Sequence, residues 1–251
     1  MDLLAFYKRG PMGSSISFQL VHKKMGKEGK VKIGTYGFIK GAQYFIAGEV
    51  KKGPFSEVDY GFLFEKIMLH ILELGLGSCW LGGTFKRSEF TQFLGNTGDM
   101  IIPAISPVGF PANGMSKREK LIRRGAGSDS RKAWEELFFE EKFGNVMDER
   151  KEDAYLLPLQ MLRLAPSASN KQPWRIVRSK KDFHFFLQRT PGYGGFIKNV
   201  DLQRIDIGIA MAHFELSCNE TGRAGSWKIL KPGIELADDC EYIVSWVPGA
   251  S

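Results

Sequence analysis

The sequence predicts a mixed α+β protein built as two pseudo-symmetric α/β halves in one chain, residues 1–145 and 146–251. Three observations lead there. Apolar stripes at helical spacing alternate with short β-branched and aromatic runs, the pattern of helices packed on sheets. Asp59, Gly61, Gly75 and Trp80 recur at one constant offset as Asp206, Gly208, Gly222 and Trp227, so each half reads Asp, Gly, apolar helix, Gly, Trp. Each unit is then followed by an apolar strand ending in glycine, at Gly109 and at Gly249. With 29 glycines in the chain, coincidence is the competing reading of the repeat. At 251 residues and 43% hydrophobic, the chain can bury one large core or two smaller ones.

The elements follow in order. Met1–Lys30 contains an apolar opening, a PMG turn, a candidate strand at Ile16–Val21 and the flexible stretch KKMGKEGK. Gln43–Val50 has the β-branched and aromatic content of a buried strand. Asp59 is a candidate N-cap for the next helix, whose Phe64, Ile67, Met68, Ile71 and Leu74 form one apolar stripe, and Gly75 and Gly77 end it. After a glycine-rich turn come Phe90–Gly98, helical in part, and a strand at Ala104–Val108. Ser128 or Asp129 can cap a helix running through Phe143, with Trp134, Leu137 and Phe138 toward a core. Polar Asn145–Asp153 reads as the linker between halves. The second half opens with a helix that ends by Ala165, because Pro166 cannot continue it. Strands at Arg175–Arg178 and His184–Leu187, a glycine-rich turn, a helix from about Leu202 to Glu220 and a strand at Tyr242–Val247 complete it.

Composition excludes several function classes. No run reaches the roughly 18 to 20 apolar residues of a membrane span. Lys8 and Arg9 follow the short apolar opening, the wrong order for a secretory signal, so a cytoplasmic protein with no membrane partner is expected. Cys79, Cys218 and Cys240 are odd in number and widely spaced, which fits reduced thiols in packed positions rather than a disulfide framework or a zinc site. His22, His70, His184 and His213 lack ligand spacing, so no metal is expected. The net charge of +7 favours anionic partners and is modest for this length. Between Lys117 and Lys132 seven of sixteen residues are Lys or Arg, either a solvated connector or a phosphate-binding edge.

The most informative stretch is Leu164–Ile176, LAPSASNKQPWRI. Ser167, Ser169 and Asn170 offer hydroxyl, amide and backbone N–H groups that can follow the polar edge of a planar heterocycle. A plain Ser/Asn turn before a core tryptophan is the alternative. The string APSASNKQPW resembles the APSxxNxQPW segment of the nitroreductase-like flavoproteins, and GLGSCWLGGTF at Gly75–Phe85 and PVGFP at Pro107–Pro111 also resemble family segments. Their order is similar to that of single-chain members carrying two nitroreductase-like halves, across roughly Gly34 to Val247.

This resemblance implies a nitroreductase-like fold with the two halves mimicking the usual homodimer, hence a monomer with an internal pseudo-dimer. It implies an FMN site in which the PSxxN loop of one half meets the glycine turn of the other. The loop occurs only in the second half and the LGG turn only in the first, so one composite site per chain is expected. Carried over by motif, Ser167, Ser169 and Asn170 border the flavin, with Pro166 and Gln172 holding the loop. Trp80, Leu81, Gly82 and Gly83 match the turn that passes the reactive face, where glycine permits close backbone approach; a helix stop with Trp80 in the core is the other reading. Gly109 and Arg118 match the family's Gly-Tyr-Pro and basic phosphate-binding element, with Phe110 in the tyrosine's place; Lys117, Arg123 or Arg124 can take the role of Arg118. The family's opening RRSxRxF-like segment has no counterpart before Ile16, so the expectation is either a truncated form of a longer protein or a weaker, differently built flavin grip.

The function implied is an FMN-dependent oxidoreductase moving electrons from NAD(P)H to a nitroaromatic, quinone or similar small acceptor. No side-chain nucleophile or acid–base set is needed, since the flavin carries the chemistry. A non-catalytic flavin-binding or sensing module that keeps the fold is the alternative. Nucleic-acid binding through the basic stretch is disfavoured, because no recognised module or interleaved aromatic platform accompanies the charge.

Overall fold

The computed structural model describes residues 3–22, 41–83, 85–95, 98–111, 127–151, 154–193 and 199–249. Two five-stranded sheets each pack against a long helix, and the two long helices pack on each other. The first sheet holds β1 (Ile16–His22), β2 (Tyr44–Lys51), β5 (Ile105–Gly109) and β3 (Gly77–Ser78) in the order β1-β2-β5-β3, with β4 (Met100–Ile101) also on β2. All its pairings are antiparallel. The second has the order β6-β7-β8-β10-β9, formed by β6 (Phe138–Glu140), β7 (Trp174–Ser179), β8 (Asp182–Gln188), β10 (Cys240–Pro248) and β9 (Gly225–Lys228). There β6 runs parallel to β7 and the other neighbours are antiparallel. Shorter helices are α1 (Leu3–Phe6), α3 (Arg87–Leu94), α4 (Trp134–Leu137) and α5 (Leu156–Leu164).

The long helices are α2 (Ser56–Glu73) and α6 (Leu202–Glu220). They are buried on almost every side, as helices must be when one face meets a sheet and the other a second helix. They touch where glycine removes the side chain: a Cβ on Gly61 would overlap the carbonyl of Ile205, and one on Gly208 the carbonyl of Val58. Both contacts are with backbone, which cannot swing aside. Further along, Lys66 pairs with Glu215 at 2.6 Å and His213 with Glu65 at 2.8 Å, tying the helices through polar groups as well. Trp80 Nε1 donates to the same Glu65 at 2.7 Å, and Trp227 Nε1 to the same Glu215 at 2.6 Å. Each repeated tryptophan therefore donates to a glutamate of the long helix that precedes it. The repeated glycines Gly75 and Gly222 both follow helix ends with positive φ, +75° and +70°.

Five expectations need correction. Asp59 does not cap α2, which starts three residues earlier at Ser56; its carboxylate instead accepts from the backbone N–H groups of Met12 and Ser14, both at 2.8 Å. Leu74 leaves the apolar stripe and is 61% exposed, because the helix stops before it. Gly75 N–H bonds Leu72 O at 2.9 Å and Leu76 N–H bonds Ile71 O at 3.2 Å, a Schellman stop, while Gly77 belongs to β3. The helix expected through Phe143 lasts four residues, since Phe138 enters the main core and its neighbour Phe139 a separate cluster with Val177 and Phe186. Adjacent residues on opposite faces are what a strand provides. Cys79, expected to be packed, is exposed; Cys218 is buried and Cys240 half-buried. The KKMGKEGK stretch lies outside the described residues.

One hydrophobic cluster joins the halves, running from Ile16 and Phe18 through Phe64 and Ile67 to Phe185, Phe214 and Trp246. Tyr60, fully buried, clamps α2 to the first sheet by donating to Ala104 O at 2.6 Å and accepting from Gly48 N–H at 3.2 Å. Among the described residues no helix is long and apolar enough to cross a membrane.

Candidate functional site

A cleft of about 1290 Å³ opens beside the crossing of α2 and α6. Trp80, Gly82 and Gly83 of the first half line it, as do Pro166, Ser167, Ala168 and Ser169 of the second. The N-terminal turn of α6 contributes further residues, including Asp201 and Asp206.

The loop after α5 is held in an unusual backbone. Ser169, Asn170 and Gln172 all have positive φ, at 50°, 52° and 47°.

 None of the three is glycine, so each position carries the cost of a left-handed backbone, of order 1–3 kcal/mol. Hydrogen bonds hold the loop in place. Ser167 O accepts from Asn170 N–H at 3.0 Å, and Ser167 Oγ accepts from Gln172 N–H at 2.9 Å. Asn170 Nδ2 donates to Gly127 O at 2.6 Å and to Ser130 O at 3.1 Å. Gln172 Oε1 accepts from Lys132 N–H at 2.8 Å. Strain kept by so many bonds marks a loop whose shape matters.

The facing turn is fixed as firmly. Arg87 of α3 donates to Gly82 O at 2.8 Å, Ile102 O at 3.0 Å and Pro103 O at 3.1 Å. Leu81 exchanges backbone bonds with Ile105 at 2.9 and 3.0 Å, and its buried side chain joins Phe85 and Phe90. Trp80 stands edge-on to Phe64, ring centroids 4.7 Å apart.

The expected residues thus fall into three groups. Pro166, Ser167, Ser169, Trp80, Gly82 and Gly83 line one cleft. Asn170 and Gln172 work behind the loop, Leu81 is in the core, and Gly109 pairs with Gly77 in the first sheet. Arg118 and its alternatives Lys117, Arg123 and Arg124 lie outside the described residues.

Sequence reasoning missed Tyr193, Asp201 and Arg87, and it noticed Asp206 only as a member of the repeat. Tyr193 lines the cleft with its hydroxyl 3.0 Å from Ser169 Oγ, and burial raises its pKa. Asp201 caps α6 by accepting from Gln203 and Arg204 N–H at 3.1 and 3.2 Å, an Asp immediately before an apolar run being the signal that could have found it. The lining cations are both engaged: Lys52 with Glu57, and Arg189 with Asp201 at 2.6 Å and Glu241 at 3.0 Å. Asp206 Oδ1 accepts from Ala168 N–H at 2.9 Å, while Oδ2 is buried with no hydrogen-bond partner among the described residues. Burial pushes its pKa up to about 8.

A match to the family described as "Putative TM nitroreductase" spans residues 9–218. Among solved structures, a Thermotoga maritima protein described as a putative nitroreductase is 20% identical, with 90% of this chain and 78% of that one covered and a TM-score of 0.51. That similarity is one of fold. A nitroreductase family protein from Clostridium novyi is 16% identical over 58% of this chain and 82% of that one, at a TM-score of 0.33. An FMN-dependent nitroreductase from Clostridium difficile is 20% identical over 43% and 72%, at 0.31. No curated protein matches the sequence.

Proposed function

The chain belongs to the TM nitroreductase family, and from that premise we propose that its cleft holds FMN and that the protein moves electrons from NAD(P)H to a nitroaromatic, quinone or similar small acceptor. One observation carries the reading. The serine loop of the second half and the glycine turn of the first, the two segments with a flavoprotein-like sequence, line the same cavity. Its volume of about 1290 Å³ exceeds the roughly 300–1,000 Å³ of ordinary small-ligand sites, enough for a flavin and a second planar molecule.

The residues present fit a flavin ring. Ser167 uses its oxygen to accept from Gln172 N–H, which leaves its O–H to donate into the cleft. Gly82 and Gly83 offer backbone without side-chain bulk on the opposite wall. Glu65, 4% exposed, fixes the indole of Trp80 through the bond to Nε1, so this wall needs no reorganisation when a ligand arrives. FMN, when bound, supplies hydride and electron transfer. The protein's part is binding, orientation and a fixed set of dipoles.

We further propose that the halves are pseudo-twofold mates and that a single chain does the work of a dimer. The similar bonds of Trp80 and Trp227, each to a glutamate of the preceding long helix, and the reciprocal glycine contacts of Gly61 and Gly208 support this. A second reading, a flavin-binding module without turnover, is favoured by one observation: both described lining cations are already paired, so neither is available to a phosphate without breaking an ion pair.

Titrating FMN into the purified protein and recording flavin bands at roughly 370 and 450 nm tests the cofactor. Bleaching of the 450 nm band by NADH or NADPH, followed by recovery with a nitroaromatic, is the expected result for the enzyme. Bound FMN that neither nucleotide reduces supports the module instead, and absence of binding overturns both.

A further inference from the structure

Asp59 and Asp206 occupy equivalent places near the starts of the two long helices, and each holds the loop that leads into the first long strand of its half. Their use of that carboxylate differs. Asp59 is away from the cleft lining, and its two oxygens take two backbone N–H groups, from Met12 and Ser14. Asp206 lines the cleft and takes one, from Ala168, leaving Oδ2 buried without a partner among the described residues. Oδ2 therefore sets Asp206 apart from its twin position, where both oxygens are satisfied.

A buried carboxylate with one oxygen unpaired is costly as an anion and ordinary as a neutral acid. We infer that the cleft binds an anionic planar ligand together with a proton held on Asp206, so that ligand affinity and the protonation of this one carboxyl are linked. The inference rests on the flavin reading of the cleft, and FMN is the anion it concerns. Docking a ring and its phosphate beside Asp206 removes nearby water and adds negative charge; both effects disfavour the ionised carboxylate. The surrounding charges do not reverse this. On its own helix Asp201 is a second carboxylate, which raises the proton affinity of Asp206, and Tyr193 comes from the segment after β8 as a neutral phenol. Across the cleft Lys52 is paired with Glu57 beside α2, Arg189 with Asp201 and Glu241, and Asp99 adds a third lining carboxylate. Burial, with Asp201 adding to it, already lifts the carboxyl to about 8, which puts the linkage in an accessible range.

The test is calorimetric titration of FMN into the whole protein from pH 7 to 9, repeated in buffers of different ionisation enthalpy. The wild type is expected to take up about half a proton per FMN near pH 8, and its affinity to fall about fivefold from pH 8 to pH 9. Asp206→Asn keeps an oxygen for Ala168 N–H and cannot ionise, so its affinity should be flat over that range apart from the ionisations of FMN itself, which both proteins share. The wild-type proton count needs no variant and stands if Asp206→Asn does not fold. Tight binding with no proton exchange and no pH dependence overturns the inference and leaves the flavin reading intact. No FMN binding at any pH overturns both.

Discussion

Asp206 also governs stability, and the sign follows from its raised pKa. Between its ordinary value of 3.8 and about 8 the folded chain holds a proton that the unfolded chain has released. Stability supplied by this group is complete below the lower value and is lost as pH rises through the upper one, at up to about 1.4 kcal/mol per pH unit. Asp206→Asn should therefore flatten the fall in urea midpoint between pH 5 and 8; an unchanged slope would mean that the carboxyl ionises freely in the fold. Asn170 makes a different kind of prediction. Its side chain holds Gly127 O and Ser130 O, in a backbone at φ 52°. Asn170→Leu removes both bonds, leaving Gly127 O to Ser130 and Ser130 O to Arg131, and puts a branched residue in the left-handed region, together about 1–3 kcal/mol. The loss should appear in urea unfolding without any flavin present. A variant as stable as the wild type would return Asn170 to direct ligand contact.

The elements were legible where local pattern and tertiary demand agree. The apolar content of Ile16–His22, Tyr44–Lys51 and Leu202–Glu220 named their type and nearly their bounds. The failures have physical causes. The stretch around Trp134–Glu140 carries a helical spacing, yet pairing with β7 wins, because adjacent Phe138 and Phe139 must reach opposite faces of the sheet. Asp59 looked like a cap because caps are the common use of an Asp before an apolar helix, whereas its partners are about 45 residues away in sequence. In the cleft, residues borne by a contiguous motif could be read, such as Ser167 and Gly82. Tyr193 and Arg87 could not, since they meet that motif only through the fold. The crossing of α2 and α6 gives the sharpest element-scale prediction. Gly61→Ala and Gly208→Ala each force a methyl onto the partner's backbone, a cost of about 1–3 kcal/mol or more. Gly109→Ala meets open space and has no positive φ, so it should change stability by less than about 0.5 kcal/mol. Thermal melts of the three variants decide it, and equal midpoints would mean that the helices separate readily at the crossing.

For the whole molecule, the two halves share one core, and they do not share the site evenly. One apolar cluster links Phe18 and Phe64 to Phe214 and Trp246, so unfolding either half alone would expose the apolar face of the other. The fluorescence and circular-dichroism transitions should therefore coincide, and two separated transitions would assign each half its own stability. The likeness between the repeated positions nevertheless stops at the cleft. Trp80 borders it, whereas its counterpart Trp227 stacks into the second sheet, 5.0 Å from Trp246 and 4.9 Å from Phe185 between ring centroids. Asp206 has an oxygen left over, whereas both oxygens of Asp59 are taken by the Met12 and Ser14 backbone. At the counterpart positions, Trp227 and Asp59 are thus engaged within the fold. One flavin per chain is the expected content. Protein saturated with FMN, freed of excess and denatured should release flavin in a ratio near one to the chain. A ratio near two would mean that the mirrored position binds as well, and that the difference between Asp59 and Asp206 has no bearing on the ligand.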